Sequence, residues 1–305
     1  QWLPSLVLVG VGLVALIAGG SATPMPAASL LPTFSNLDTI IFFSQICFAF
    51  AGLELAPVLA GEIREPRRTI PRALLISGIV IAGIYIFNTL ALMWALPPDK
   101  ISIIAGVNQA IAAAGAAHGL SWLGPPVALL MTLAGIGGLG AWLIGSARLL
   151  FVGGMDRLLP PAFARIHPRW NTPYIALLVQ AALAAIFILA ATQGSTVHVA
   201  YLILVDATAI LTFLVYLYLF AAAIKLRRRI AGTPEAIAVP GGAFGSIVAN
   251  GLGFLTTSGA IALALVPPSD TSDKAGFFLK VIGGTVGFFI AGLVLHWLAK
   301  RRAMR

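Results

Sequence analysis

The stretch that decides the fold is "FAFAGLELAPVLAGEIREPRRTIPRA", residues Phe48–Ala73. It places an acid, Glu54, inside an apolar run that begins near Thr39, and a basic cluster follows shortly afterwards. Ionisable groups at membrane depth are costly and tend to line a cavity or a proton pathway. The stretch therefore predicts a membrane-embedded functional site. The alternative is a carboxyl group, ionised or protonated, that only forms hydrogen bonds between helices.

The composition of the whole chain agrees with a membrane environment. Hydrophobic residues make up 59% of the 305 residues, charged residues only 10%, and the mean hydropathy is +0.99. A soluble domain of this size would need more charge to cover its surface. The apolar residues also come in blocks of about 20, the length that crosses ~30 Å of hydrocarbon as a helix. We predict an all-α polytopic membrane protein with eight transmembrane helices, at residues 4–21, 39–60, 72–96, 124–152, 173–193, 198–224, 243–266 and 277–299, and a short interfacial helix at 102–117.

The net charge of +9 is explained by topology and does not require a nucleic-acid partner. If both termini face the cytoplasm, all but three of the 19 basic residues fall in cytoplasmic segments, the exceptions being Lys100, Lys274 and Lys280. This distribution satisfies the positive-inside rule. It predicts an integral protein of the cell (inner) membrane, with some inner arginines contacting lipid headgroups.

The cysteine and histidine content gives no support for an enzyme or a metal site. The chain has one cysteine, and its four histidines are scattered without a metal-ligand spacing. No clustered acid/base constellation lies at one depth. We therefore expect no enzymatic activity, no cofactor and no metal; the expected partners are a small-molecule substrate and membrane lipids, not nucleic acid.

The residues before Glu54 suggest an interrupted helix. Phe48–Gly52 combines bulky aromatic residues with small ones, and Pro57 follows. Gly and Pro weaken a helix, and unwound backbone at membrane depth is tolerated only where it lines a cavity. Free carbonyl oxygens at such a break would bind a substrate ammonium group. Gly and Pro alone fit a continuous helix, with the glycine at a packing contact, equally well.

Asp206 and Trp142 are further candidates from the sequence alone. Asp206 lies well inside the span 198–224, where it is a functional acid or a brace for a neighbouring helix. Trp142 lies away from both ends of its span, so it is not an interfacial aromatic residue and either packs or lines a cavity.

Two motifs resemble one transporter family. The Phe48–Ala73 stretch resembles the sixth-helix signature of the amino acid–polyamine–organocation superfamily, and "MDRLLPPAFARIHPRWNTP", Met155–Pro173, resembles the loop after its eighth helix. The resemblance covers the whole chain but only helices five to twelve of a twelve-helix protein, so the N-terminal part is expected to be missing. It implies a partial inverted-repeat (LeuT-type) fold in one transmembrane domain, 1–305. In that domain 1–21 ends the first repeat, 39–224 forms the second repeat, and 243–299 adds two trailing helices.

The resemblance also implies roles for individual residues. Phe48 matches the aromatic residue that covers the bound substrate, and the carbonyl groups around Ala49–Ala51 match those that receive its amino group. Glu54 and Tyr216 match a gating or proton-sensing pair. The implied substrate-binding residues are Phe48, Ala49, Phe50, Ala51, Gly52, Trp142, Thr208 and Thr212. The alternatives are that Tyr216 is an interfacial aromatic residue and that both threonines bond to their own helix.

The resemblance implies a secondary transporter, or permease, that moves amino acids or related amines by alternating access. Proton coupling or exchange is expected rather than sodium coupling. Neutral amino acids are the expected substrates, because Glu54 and Asp206 are the only acids expected at cavity depth and neither is an obvious partner for a cationic side chain. The alternative is a non-transporting sensor or scaffold, or an inactive truncated remnant of such a transporter.

Overall fold

The computed structural model describes residues 2–26, 37–53, 63–102, 105–230, 241–269 and 271–303, and these residues are helical or lie in turns and short connections. Apolar residues dominate every long helix, and a helix satisfies its backbone hydrogen bonds within one segment, as hydrocarbon requires. The α-helices are α1 (Trp2–Gly19), α2 (Leu37–Ala49), α3 (Pro66–Ala95), α4 (Gly106–Ala117), α5 (Gly124–Met155), α6 (Tyr174–Thr192), α7 (Val197–Ile230), α8 (Gly242–Ala264) and α9 (Lys274–Ala303).

The predicted all-α membrane fold is confirmed, with one helix differing from expectation. In the described part of the chain, seven helices are long and apolar enough to cross a membrane: α1, α3 and α5 to α9. The predicted span 39–60 is the exception, because α2 ends at Ala49 and residues 54–62 lie outside the described residues. The predicted interfacial helix is α4, which begins at Gly106.

The chain forms two compact units. The first comprises Gln1–Pro32 and Leu75–Leu149, and the second comprises Thr33–Leu74 and Leu150–Arg305. In the first unit, α1 approaches α3 closely at Gly12, where an added Cβ atom would lie 2.7 Å from Ala91. A core that includes Leu8, Ile111 and Val127 surrounds this contact.

The second unit is built around α7, which packs against α2, α6, α8 and α9. Where α7 meets α9, the core is apolar and includes Ile203, Ile210, Phe277 and Val281. Many apolar side chains on the opposite faces of these helices are exposed, Leu214 of α7 and Leu279 of α9 among them. Such exposed apolar faces are expected where hydrocarbon replaces water as the solvent.

One charged side chain joins the end of α6 to α9. The Lys280 ammonium donates hydrogen bonds to the Gln193 carbonyl oxygen and to the Ser195 hydroxyl at 2.7 Å, and it lies 3.5 Å from the Ala191 carbonyl oxygen. The last carbonyl groups of a helix have no partner within that helix, and the helix dipole favours a cation there. Lys280 therefore caps the end of α6 and fixes the connection to α7.

Candidate functional site

The predicted interruption of the second span is present. Helix α2 ends at Ala49, and the next amides form tighter turns: Phe50 N–H donates to the Cys47 carbonyl at 3.3 Å and Ala51 N–H to the Phe48 carbonyl at 2.9 Å. Gly52 then adopts φ = 108°, which L side chains rarely adopt. The chain therefore does not adopt the alternative, a helix that continues through Gly52.

Phe48, at the end of α2, contacts the middle of α7. Its ring lies edge-on to the Phe213 ring, with centroids 6.3 Å apart and an interplanar angle of 87°. The Phe213 ring in turn lies 6.3 Å from the Tyr216 ring. Edge-to-face pairs at this separation are favourable aromatic contacts. Phe48 and Tyr216, two of the predicted site residues, thus both lie beside the ring of Phe213.

This aromatic contact belongs to a small cluster where α2, α7 and α8 meet, which we call the break cluster. Its buried members are Ala209, Phe213 and Ala260, and half-buried side chains packed against it include Cys47, Phe48 and Tyr216. Sequence reasoning missed Phe213, Ala209 and Ala260. Phe213 lies four residues after Ala209, on one face of α7. Because apolar residues occur on every face of this helix, hydrophobic periodicity does not identify the face that packs.

Thr208 and Thr212 form hydrogen bonds within their own helix. The Thr208 hydroxyl donates to the Leu204 carbonyl at 2.7 Å, and the Thr212 hydroxyl donates to the Thr208 carbonyl at 2.9 Å. This is the local bonding that the sequence left open as an alternative. A hydroxyl that donates in this way still has lone pairs that accept hydrogen bonds, so substrate binding by these threonines stays a prediction.

Of the predicted site residues that the structure describes, the break cluster includes Phe48 and Tyr216. Trp142 lies on α5 within the first unit, where 52% of its surface is exposed and its carbonyl oxygen accepts a hydrogen bond from Ser146 at 2.6 Å. Its role in a substrate cavity stays a prediction. Glu54 lies outside the described residues.

A second polar feature lies between α2 and α7. The Asp206 carboxyl on α7 is 1% exposed, and Ser44 on α2 is fully buried. Gln45 of α2 is the polar side chain that lies beside the carboxyl. Neither carboxyl oxygen, nor the Ser44 hydroxyl, has a hydrogen-bond partner within the described parts of the chain. The other acids with described side chains, Glu65, Asp99, Asp156 and Asp273, are all exposed.

Two open cavities lie elsewhere in the molecule. One, of about 710 Å³, lies in the first unit between α1, α3 and α5, and its polar lining includes Ser5 and Asn88, which bond to each other at 3.1 Å. The other, of about 430 Å³, lies between α6 and α9 and is almost wholly apolar. None of the predicted site residues lines either cavity, and cavity size alone does not identify a substrate site. The end of α2 is the better indicator here, because backbone that leaves a helix within a membrane is tolerated only where it is buried in protein or lines a water-filled cavity. Among the described residues, no group of three or more His, Cys, Asp or Glu is placed to hold a metal ion.

Known proteins resemble this chain over most of its length. It is 31% identical over 304 residues to an uncharacterized transporter of Legionella pneumophila, covering 98% of this chain and 64% of that protein. It is 24% identical to a glutamate/gamma-aminobutyrate antiporter of Lactococcus lactis, covering 89% of this chain and 55% of the antiporter. It is 27% identical to a probable agmatine/putrescine antiporter of the same species, covering 78% of this chain and 50% of that protein. The chain thus spans about half to two-thirds of the length of these relatives.

The family assignment rests on a match to a family model. The model of the amino acid permease family matches residues 2–288, which include the interrupted helix, the Met155–Pro173 loop and all of α7. The resemblance noted from the two motifs is therefore confirmed. The chain belongs to the amino acid permease family and is an integral membrane protein.

Proposed function

We propose that this chain forms the greater part of a secondary transporter that moves amino acids or related amines by alternating access. The observation that carries the proposal is the interruption of α2 at Ala49, next to the contact between Phe48 and Phe213. In transporters of this architecture, substrate sites form where helices are discontinuous near the bilayer midplane. The family membership supports the same function.

The proposed substrate site is centred on the turn that follows α2. Phe48 covers the substrate from one side, and the backbone around Ala49–Ala51 receives its amino group. Gly52 makes this possible, because its backbone conformation lets the chain leave the helix direction. Thr208 and Thr212 of α7 complete the proposed site in the second unit, and Trp142 of α5 is proposed as a substrate-binding residue from the family resemblance alone. Glu54 and Tyr216 act as the gating or proton-sensing pair.

Neutral amino acids are the proposed first class of substrate. The described members of the proposed site are aromatic, small or hydroxyl-bearing residues, which suit an uncharged side chain. Both Lactococcus lactis relatives are antiporters by name, one for glutamate and gamma-aminobutyrate and one probably for agmatine and putrescine. These names favour exchange of one amino acid or amine for another as the mode to test beside proton coupling.

We propose that the chain lies in the inner membrane with both termini in the cytoplasm, as one transmembrane domain. The basic residues support this orientation, because the segments that it places inside hold all but three of the 19 lysines and arginines. Cysteine labelling from either side of the membrane tests it. A cysteine introduced between α7 and α8 is expected to react only from the cytoplasmic side.

The function is tested by exchange in proteoliposomes that hold the full-length protein. A pool of labelled amino acids, gamma-aminobutyrate and agmatine is offered at mildly acidic and at neutral pH. Uptake that one unlabelled compound chases out would establish transport and identify the substrate class. No uptake by folded protein at either pH would contradict the proposal and favour a sensor or scaffold.

A further inference from the structure

The Asp206 carboxyl, between α2 and α7, is a buried acid that the proposed transport site does not use. It is 1% exposed, and the fully buried Ser44 and the half-buried Gln45 lie on the facing helix α2. Within the described parts of the chain neither carboxyl oxygen has a hydrogen-bond partner, and neither has the Ser44 hydroxyl. The Asp206 carboxyl, with Gln45 beside it, and the Ser44 hydroxyl are thus buried polar groups of this helix pair whose hydrogen-bonding capacity is unused in Asp206 and Ser44.

An ionised carboxylate in such a place is uncompensated. Removing a charge from water without an opposite charge or hydrogen bonds is strongly unfavourable, and the group escapes the cost by binding a proton. A protonated carboxyl is neutral and gains one donor. The Gln45 side-chain oxygen on the facing helix α2 is the acceptor beside it. The neutral form therefore suits the conformation seen here.

The charged groups on the elements packed against α7 do not compensate Asp206. On α9, Lys280 binds the end of α6, Arg301 lies over the Trp297 ring, and His296 contacts the Leu158 carbonyl. On α6, the titratable residue is Tyr174, which meets the His167 ring edge-on. Helix α8 carries no titratable residue.

The remaining titratable groups lie on α2 and on α7 itself. On α2, Cys47 packs against the break cluster, and Asp38 is in the first turn, where its side chain is not described. On α7, His198 and Tyr201 lie toward the beginning of the helix, and Tyr216 packs against the break cluster. Tyr218, Lys225 and the arginines at 227–229 lie toward its end, three or more turns beyond Asp206. None of these residues supplies a positive charge to the Asp206 carboxyl in the described structure.

The same two helices carry the buried acid and the proposed substrate site. Ser44 precedes Phe48 by four residues on α2, and Asp206 precedes Phe213 by seven residues on α7, so the two features lie one to two turns apart. A movement of α2 against α7 that opens the contact between Phe48 and Phe213 would also admit water to Asp206. Hydration stabilises the ionised form, so such a movement would release the proton.

We propose that Asp206 is a membrane-embedded proton-binding site, which carries a proton when α2 and α7 are closed together and releases it when they separate. The proton binds one carboxyl oxygen, and the Gln45 side-chain oxygen on α2 is the acceptor for its hydrogen bond. This inference deepens the proposed function and rests on it for the link to transport. Proton binding itself is measurable without any substrate.

The first test measures proton binding directly in the full-length protein. Infrared spectra are recorded for the wild type, for Asp206→Asn and for the exposed-acid control Asp99→Asn. At a pH of about 6, exposed carboxyl groups are ionised, so a protonated-carboxyl band that Asp206→Asn removes and Asp99→Asn retains is the expected result. A wild-type spectrum without a band that depends on Asp206, at any pH between mildly acidic and neutral, would overturn the proposal.

The second test measures coupling in proteoliposomes, with the substrate found by exchange. With one proton carried per substrate, a pH difference of about one unit drives up to about tenfold accumulation. The wild type and Asp99→Asn are expected to reach such a ratio. Asp206→Asn is expected to accumulate no substrate above equilibrium while still exchanging labelled for unlabelled substrate. Full pH-driven accumulation by Asp206→Asn would overturn the proposal, and so would accumulation that follows a sodium gradient and needs Asp206.

The two tests separate failure of the proton site from failure of the transport proposal. If the wild type shows the Asp206 band but no transport in any mode, the proton site stands and the transport function fails. If Asp206→Asn does not fold, the variant Gln45→Leu is used instead, because Gln45→Leu keeps the Asp206 carboxyl and removes one hydrogen-bond acceptor beside it. That variant is expected to shift the pH at which the band disappears, and an unchanged titration would contradict the assigned neighbours.

Discussion

Lys280 and Asp206 are two ionisable residues of the same unit, and they differ in how well their hydrogen-bonding groups are satisfied. The Lys280 ammonium has two oxygen acceptors at the end of α6 and a third at the limit of hydrogen-bonding distance. The Asp206 carboxyl is more deeply buried and has no hydrogen bond in the described structure. A charge that only stabilises a fold is expected to be satisfied, and a buried polar group left unsatisfied is expected to have another role.

The two sides of α7 differ in the same way. Toward α9 the helix presents Ile203 and Ile210 to Phe277 and Val281, which is an apolar, well-packed contact. Toward α2 it presents Asp206, followed by the aromatic break cluster. We conclude that the α9 side holds the unit together, whereas the α2 side is where movement and binding take place. The following variants test that division, beginning with the largest expected effect on stability.

Replacing Lys280 is expected to destabilise the protein most. Lys280→Met keeps the apolar stem but removes the cap on α6, and losing hydrogen bonds from a charged donor costs about 1–3 kcal/mol. The measurement is the thermal unfolding midpoint of the purified protein. Lys274→Met, an exposed lysine at the beginning of the same helix, is the control and should leave the midpoint unchanged. An equal midpoint for both variants would show that the cap is not structural.

The packing of α6 against α9 is tested at two adjacent glycines. A Cβ atom at Gly284 would overlap the Phe187 ring, whereas a Cβ atom at Gly283 meets no atom within 4 Å. Gly284→Ala is expected to lower stability by about 1–2 kcal/mol, because overpacking outweighs the gain in helix propensity. Gly283→Ala is expected to be neutral or stabilising by up to about 1 kcal/mol. Equal unfolding midpoints for the two variants would contradict the close approach of the helices.

Asp206→Asn is expected to change stability far less than Lys280→Met. The substitution keeps the shape of the side chain and removes only the capacity to ionise, so the free energy of unfolding should change by less than about 1 kcal/mol. The same unfolding measurement applies. A loss as large as that of Lys280→Met would mean that the carboxyl has a structural partner, and the contrast between the two residues would be wrong.

Glu54→Gln is expected to leave stability unchanged and to alter only the response to pH. The proposed gating role requires that Glu54 change charge, which glutamine cannot do, so the pH dependence of exchange should flatten. Initial exchange rates at mildly acidic and neutral pH give the measurement. A pH profile identical to that of the wild type would remove Glu54 from the gating pair and leave Asp206 as the acid to explain the response.

Much of the fold was predictable because the length and hydropathy of a segment identify it as a membrane helix. Seven of the eight predicted spans correspond to long apolar helices, with ends that differ by a few residues except at α3 and α7, which begin or end further into the loops. Within the span 39–60 the hydropathy continues through Phe50–Leu53, whereas helix α2 ends at Ala49. Hydropathy reports the solvent, whereas the end of the helix is set by local backbone geometry at Gly52.

The candidate site was less accessible from the sequence. Phe48 and Tyr216 were identified through the family resemblance, but the residue that joins them, Phe213, was not. A helix that is apolar on every side gives no periodic signal for the face that meets another helix. Asp206 was recognised as either functional or bracing, and only the arrangement of α2 against α7 separates these, because the sequence does not show which partners a buried acid lacks.

The central claim, that the end of α2 is where substrate binds, is tested most directly by two phenylalanines of this helix. Phe48 contacts the break cluster, whereas Phe43 lies on the same helix and is 42% exposed. Exchange is measured against substrate concentration for the wild type, Phe48→Ala and Phe43→Ala. We predict that Phe48→Ala raises the concentration for half-maximal exchange about tenfold, the typical loss of one aromatic anchor, and that Phe43→Ala matches the wild type. Equal values for Phe48→Ala and the wild type would contradict the account.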